Sequence, residues 1–218
     1  VICPLCAQEK SSVLWKKLHQ REYWRCHFCD FIFVPSIFHL SFEEEKNRYD
    51  RHKNISSDPA YQNFFMAFAD EMGRLPLEAG SEVLDFGSGV DSALKPVLES
   101  KGFKVSEFDP FYKNDEALLK SRYPLVTCTE VLEHLRDPKQ SIRQMLASLL
   151  PGGYLGTMTR LYLPEMQFEG WHYSRDPTHI GFWTPGAFSF LAQYFQLEIL
   201  ACEPKFQILR LSSTAERV

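Results

Sequence analysis

Cys3 and Cys6 form "CPLC", Cys26 and Cys29 form "CHFC", and nineteen residues separate the two pairs. A C-x2-C turn aims two thiolates at one point, and two such turns about 15–20 residues apart close a tetrahedral zinc site. Two disulfides are the competing reading; the regular spacing, with no recognisable secretory leader, favours the metal. A second group lies in "VLDFGSGVDS", Val83–Ser92, where an apolar run meets Asp85 and then Gly87, Ser88 and Gly89. Glycines there let backbone N–H groups approach a ligand with no side chain in the way. Asp109 ends the next apolar run, twenty residues beyond Gly89, where the acid of a βαβ unit reads ribose hydroxyls. A third group is proton-accepting: Glu130, Glu133 and His134 in "EVLEH", then His172, Tyr173, Asp176 and His179 in "WHYSRDPTH".

The glycine turn departs from a dinucleotide fingerprint, because Ser92 stands where the last glycine belongs. Asp85 and Asp91 make both ends of the turn acidic, a poor setting for a pyrophosphate and a better one for a ligand bearing an ammonium group. The pattern points away from NAD and towards S-adenosylmethionine (SAM), whose methionine end is a zwitterion beside a sulfonium. For His134 and His179 the plainer reading is local packing or a place in a turn.

These residues need elements to hold them. "VLWKKLHQREYWRC" suits two short strands between the knuckles, a zinc-ribbon-like unit over residues 1–35 whose folding energy comes from metal. Residues 36–80 read as a helical lid or linker. Ser41 caps a first helix with acids before bases, and Asp58 with Pro59 starts a second. Tyr61, Phe64, Phe65, Phe68 and Met72 recur at helical spacing in it, as core or, in part, as a lid over a pocket. Arg48, Tyr49 and His52 offer polar groups to a carboxylate or hydroxyl. Residues 81–218 read as strand, glycine turn and helix, with Pro96 confining that helix to a start near Ser92. "GAFSFLAQYF" is a late helix, and "LEILACEP" with "KFQILRLS" a closing antiparallel pair.

"VLDFGSGVD" resembles motif I of class I SAM-dependent methyltransferases, "VSEFD" their second strand, "YPLVTCTEVLEHLRDP" their fourth strand and its loop, and "SLLPGGYLGTMT" their fifth. The knuckles together with "WHYSRDPTHIGFWTPGAF" resemble a subset of small-molecule methyltransferases with an N-terminal zinc-binding segment. The resemblance implies a seven-stranded Rossmann-like α/β sheet. It implies that Asp85 and the Gly87–Ser88–Gly89 backbone hold the methionine end, Asp109 the ribose, and Thr129 and Glu130 the methyl-donor side. Asp91 replaces the third motif glycine, and Asp115 is the candidate adenine contact. His179, Glu130 and His134 are the candidate catalytic groups. E-x-x-E-H with a distant histidine also resembles the magnesium site of small-RNA 2′-O-methyltransferases. That likeness implies Mg²⁺ at Glu130, Glu133, His134 and His179.

Composition bounds the alternatives. The chain has 218 residues, 44% hydrophobic and 14% aromatic, with formal net charge −4, so it is not a basic nucleic-acid binder overall. In the first thirty-five residues, five bases face three acids and the charge of a four-thiolate zinc, a weak footprint for phosphate. No apolar run reaches the roughly 18–20 residues of a membrane helix. The expectation is a cytosolic methyltransferase acting on a small polar metabolite. An RNA methyltransferase with the ribbon as reader and a non-catalytic SAM-binding module are the alternatives.

Overall fold

The computed structural model describes residues 1–51 and 57–213; His52 lies outside them. Strands β1 (Ser12–Leu18) and β2 (Arg21–Cys26) pair antiparallel between the knuckles, as their alternation predicts. His19 and Gln20 join them with φ of 52° and 60°, the doubly left-handed turn whose twist matches a tight hairpin. The knuckles share one geometry. In each, the residue after the second cysteine (Ala7, Asp30) has φ 59°, and its N–H donates to the carbonyl of the first at 2.9 Å. β3 (Ile32–Phe33) extends this sheet beyond β2.

Helix α1 (Phe42–Tyr49) opens on a capping box: Ser41 Oγ accepts from Glu44 N–H, and Glu44 accepts from Ser41 N–H at 2.8 Å. In α2 (Pro59–Gly73), Asp58 accepts from Ala60 N–H at 2.9 Å and Pro59 takes the first turn. Phe65, Phe68 and Met72 of α2 are buried.

The main sheet begins with β4 (Glu82–Phe86), and α3 (Leu94–Ser100) carries the chain to β5 (Lys104–Phe108). As expected, α3 starts just after Ser92 with Pro96 in its first turn. Then come β6 (Tyr123–Thr129), α4 (Pro138–Ala147) and β7 (Leu149–Met158). β8 (Gly181–Phe182), α5 (Pro185–Phe195), β9 (Leu197–Cys202) and β10 (Gln207–Leu211) complete the order. The strands lie in the order β5-β4-β6-β7-β10-β9, the first four parallel and β10 antiparallel to both neighbours.

Among the described residues this sheet therefore has six strands, one fewer than the seven expected. The strand absent is the one after β5. A parallel neighbour needs a crossover of about a dozen residues or more besides the strand itself. Residues 109–122 instead form a turn closed by an Asp109–Lys113 bridge and a short 3-10 turn, Leu118–Lys120. The Rossmann-like α/β architecture is otherwise as expected.

β8 belongs to the other sheet. It pairs with β3, giving the order β1-β2-β3-β8. The amino-terminal sheet is thus completed by a strand from the distant half of the chain.

Candidate active site

The chain leaves β4 towards β5 on one side and returns to β6 on the other. That is a topological switch point, where open α/β sheets bind ligands beyond the carboxyl ends of the strands. The loops after β4 and β6 meet there closely. A Cβ on Gly87, whose φ is +81°, would lie 2.4 Å from Cγ2 of Val131. These loops border a cavity of about 1000 Å³, at the upper end of the usual range for small-molecule sites. Its walls include Asp85, Gly87, Ser88, Gly89, Asp109, Thr129, Glu130, His134 and His179, so the residues singled out in the sequence come together. Asp115 is not among the lining residues, whereas Asn114 and Glu116 are. Tyr61 and Phe64 of α2 face the same space, so the aromatic stripe divides between cavity wall and core.

At one end Asp109 is held by three backbone donors. Its Oδ2 accepts from Gly89 N–H at 2.9 Å, and its Oδ1 from Phe111 N–H at 2.8 Å and Tyr112 N–H at 3.1 Å. A carboxylate has roughly four acceptor positions, so one remains for a ligand hydroxyl. Gly89 has φ +69°, and a Cβ there would meet no atom within 4 Å; its backbone is bare to the cavity. Asp85 lies beneath the turn, 1% exposed, accepting from Ser92 Oγ at 2.9 Å and Thr127 Oγ1 at 3.0 Å. Burial raises its pKa to about 6, with the two hydroxyls opposing.

At the other end three acceptor atoms converge. Glu133, His134 and His179 each offer one ligand atom, all within 4.8 Å of one another. Glu133 is 0% exposed. Its Oε2 accepts from Thr159 Oγ1 at 3.0 Å, and Thr159 lies 3.0 Å from the Tyr173 hydroxyl. Its Oε1 is buried, has no hydrogen-bond partner among the described residues and sits 4.0 Å from Nε2 of His134. Nδ1 of His134 is 3.1 Å from the Thr178 carbonyl and Nδ1 of His179 is 2.7 Å from the Tyr173 carbonyl. A carbonyl only accepts, so both Nδ1 atoms carry the proton, and in a neutral ring Nε2 is then the acceptor. Burial, then the neighbouring His134, lowers His179 to about 4, so it is neutral near pH 7.

Glu130 does not join this cluster among the described residues, although its backbone at φ 53° points it to the cavity. Burial, then Glu133, raises its carboxyl to about 8. Glu133 joins Glu130, His134 and His179 on the cavity wall, an acid the catalytic candidates had left out. The i, i+3 spacing in "EVLEH" marked both acids, and only the fold separates them. Of the polar set on α1, Arg48 is committed elsewhere, donating to both oxygens of Asp176 at 3.0 Å. Tyr49 donates to Glu45 at 2.8 Å, and Glu45 also accepts from Arg136 at 2.8 Å.

Residues 60–201 match the family model described as a methyltransferase domain. The chain belongs to this methyltransferase family. It is 30% identical over 82 residues to the ubiquinone biosynthesis O-methyltransferase of Proteus mirabilis, covering 35% of this chain and 32% of that protein. The match thus spans about a third of the curated relative. The fold is similar to that of an O-methyltransferase family protein from Burkholderia thailandensis, with TM-score 0.53, 12% identity and coverage of 79% of this chain and 64% of that one. It is also similar to human N-acetylserotonin methyltransferase in complex with SAM, with TM-score 0.50, 13% identity and coverage of 70% and 54%. At such identities the likeness is one of fold.

The methyltransferase's cavity suits its cofactor: open space beside the glycine turn, whose N–H groups at Gly87, Ser88 and Gly89 already donate to Phe108 O and Asp109, an anchored carboxylate with one acceptor position left, and room for a nucleoside beside a second small molecule. In this enzyme Asp109→Ala should weaken SAM binding tenfold or more, because three backbone donors lose their acceptor and the turn loosens. Calorimetry checks this; unchanged affinity would mean the ribose lies elsewhere.

Two groups of side chains have the chemistry of metal ligands. The four knuckle cysteines are buried and free, with Sγ–Sγ distances of 3.5 Å (Cys3–Cys29) and 3.6 Å (Cys6–Cys26). These are far from the roughly 2.05 Å of a disulfide and near the edge of a tetrahedron with Zn–S bonds of about 2.3 Å. The Cys29 thiol beside Cys3 pulls its pKa down to about 6. Glu133, His134 and His179 form the second group. Mg²⁺ takes oxygen ligands, whereas two imidazoles and one carboxylate suit borderline ions such as Zn²⁺ or Fe²⁺. The donor set does not fit Mg²⁺.

Proposed function

We propose that this methyltransferase methylates a small polar metabolite at a hydroxyl oxygen, with the acceptor lying against Glu133, His134 and His179. The observation that carries this reading is that the three atoms converging there are all acceptors. Such a cluster is complemented by a proton donor, and an O–H group is the smallest that also offers a nucleophile. Bound SAM supplies an electrophilic methyl carbon on a sulfonium. The chain's part is to orient and deprotonate. Nε2 of His179 or His134 takes the hydroxyl proton, the buried Glu133 carboxylate favours the resulting imidazolium, and Tyr173 with Thr159 fixes that carboxylate. The Proteus relative is an O-methyltransferase, which agrees with an oxygen acceptor.

The same proposal divides the chain into a zinc-bearing segment (1–35), a helical lid (36–80) and a SAM-binding domain (81–218), with the zinc structural. Reduced thiols as ligands fit a cytoplasmic setting. No described helix is long and apolar enough to cross a membrane. Nucleic acid is disfavoured because four of the ribbon's five bases are paired or buried. Lys16 pairs with Glu169, Lys17 with Glu22 and Arg25 with Asp30, and Arg21 is buried.

Incubation with methyl-labelled SAM and pooled metabolites should yield a small molecule carrying the label. His179→Ala should lower that turnover about 10²- to 10⁴-fold while SAM affinity stays within twofold. Label found only in RNA would contradict the proposal. The orphaned Glu133 Oε1 also favours a second reading, in which a borderline divalent cation bridges the three groups. Anaerobic calorimetric titration of the zinc-loaded protein with Fe²⁺ tests it: saturable one-site binding lost in His179→Ala supports the cation, and no heat in wild type excludes it.

A further inference from the structure

Arg21 sits on β2, eighteen positions from Cys3 and five from Cys26, and is 8% exposed. Among the described residues no carboxylate lies within ion-pairing distance of it. Its fork is filled by neutral oxygens, four of them carbonyls of one distant loop and the fifth the Tyr23 hydroxyl on its own strand. Nη2 donates to the carbonyls of Ser174 at 2.7 Å and Asp176 at 3.1 Å and to the Tyr23 hydroxyl at 2.9 Å. Nη1 donates to the carbonyls of Pro177 and His179, both at 3.2 Å. Tyr23, two residues on and on the same face of β2, donates to Ser174 O at 2.9 Å. Four backbone carbonyls within six residues are thus gathered around one guanidinium.

That loop carries the acceptor-side geometry. The Thr178 carbonyl receives Nδ1–H of His134, and His179 is the loop's own residue. Tyr173, just before Ser174, supplies the carbonyl for Nδ1–H of His179. Immediately after the loop, Gly181 and Phe182 pair with Phe33 and Ile32 of the ribbon sheet. The loop is fixed at its exit by strand pairing and along its length by Arg21.

We propose that Arg21 is a positioning residue for the methyl-acceptor site, by which the metal-stapled amino-terminal sheet sets the orientation of the His134 and His179 rings. The inference rests on reading those histidines as acceptor-side groups. Buried carbonyls that lose a charged donor must find other partners or leave, so without the guanidinium the loop spreads and both Nδ1 contacts lengthen. A lysine cannot replace it, since one ammonium does not span four carbonyls in a plane. The ribbon is then part of the catalytic apparatus through hydrogen bonds, with no need for it to touch the ligand.

The test uses the full chain, zinc-bound and saturated with S-adenosylhomocysteine, comparing wild type with Arg21→Met and Arg21→Lys. Histidine-ring ¹H–¹⁵N spectra read the tautomers. In wild type His134 and His179 should both be Nδ1-protonated. In Arg21→Met both should move towards mixed tautomers, and Arg21→Lys should restore neither fully, while S-adenosylhomocysteine affinity stays within twofold and zinc content stays at one per chain. Turnover of any acceptor found should fall at least tenfold with KM for SAM unchanged. Ring signatures identical to wild type in a folded Arg21→Met would overturn the proposal. Should Arg21→Met fail to fold, identical signatures in Arg21→Lys would do the same. Because the ring spectra need no acceptor, failure to find a methylated small molecule counts against the proposed function and leaves this result to be read separately.

Discussion

Gly87→Ala is expected to destabilise the protein by about 2–5 kcal/mol and to abolish measurable SAM binding. Two independent costs meet at this residue. Its φ of +81° lies in the left-handed region, where a Cβ costs roughly 1–2 kcal/mol. The new methyl would also stand 2.4 Å and 3.0 Å from the two γ-carbons of Val131, and forcing atoms into a packed contact costs about 1–3 kcal/mol. Neither loop yields easily. Gly87 N–H donates to the Phe108 carbonyl at 2.7 Å, and Glu130, just before Val131, donates its N–H to Met158 O at 2.7 Å. The clash therefore opens the floor of the crevice. Adding Val131→Ala removes the colliding carbons, so the double variant should recover the steric part and keep the backbone part. Denaturant unfolding of the four proteins closes the cycle. Equal stability of Gly87→Ala and wild type would show that the loops do not meet as described.

Removal of zinc should have an effect of comparable size and wider reach. A ribbon of thirty-five residues buries too little surface to fold alone, and structural zinc supplies roughly 10–16 kcal/mol to small sites of this kind. Because β8 completes the ribbon sheet and Arg21 holds the 174–179 loop, loss of the metal should disorder the acceptor side as well as the amino terminus. A strong chelator, or Cys26→Ser, is expected to lower the melting temperature by ten degrees or more, on the order expected when several kcal/mol are lost from a chain this long. It should also abolish methyl transfer while leaving partial SAM affinity in the β4–β6 crevice. Elemental analysis of freshly prepared protein should give one zinc per chain. Less than half an equivalent, with the cysteines oxidised in pairs, would refute the metal.

What could be read from the sequence was local chemistry. Ser41 with Glu44, Asp58 with Pro59, and Ser92 before Pro96 each announce a helix start within a few residues. The knuckles announce their own turns. The spacing from Gly89 to Asp109 announces a βαβ unit, and the Gly89 N–H does bond that carboxylate. What could not be read depends on distant pairing. Nothing near Gly181–Phe182 reveals that its partner is β3, and nothing near Arg21 reveals carbonyls more than 150 positions away. The count of seven strands came from the family pattern and not from residues 109–122, which are too few for a helix and a strand. Glu130 and Glu133 look alike in "EVLEH". Both line the cavity, but only Glu133 brings a carboxylate oxygen within 4.8 Å of the histidine nitrogens.

A crystal structure of the full chain with S-adenosylhomocysteine bears most directly on how the cavity works. A ribose hydroxyl is expected within hydrogen-bonding distance of Asp109, the methionine end over Gly87–Gly89, and the sulfur facing the Glu133–His134–His179 cluster across space left for an acceptor. A nucleoside bound away from Asp109, or a sulfur turned from that cluster, would contradict it.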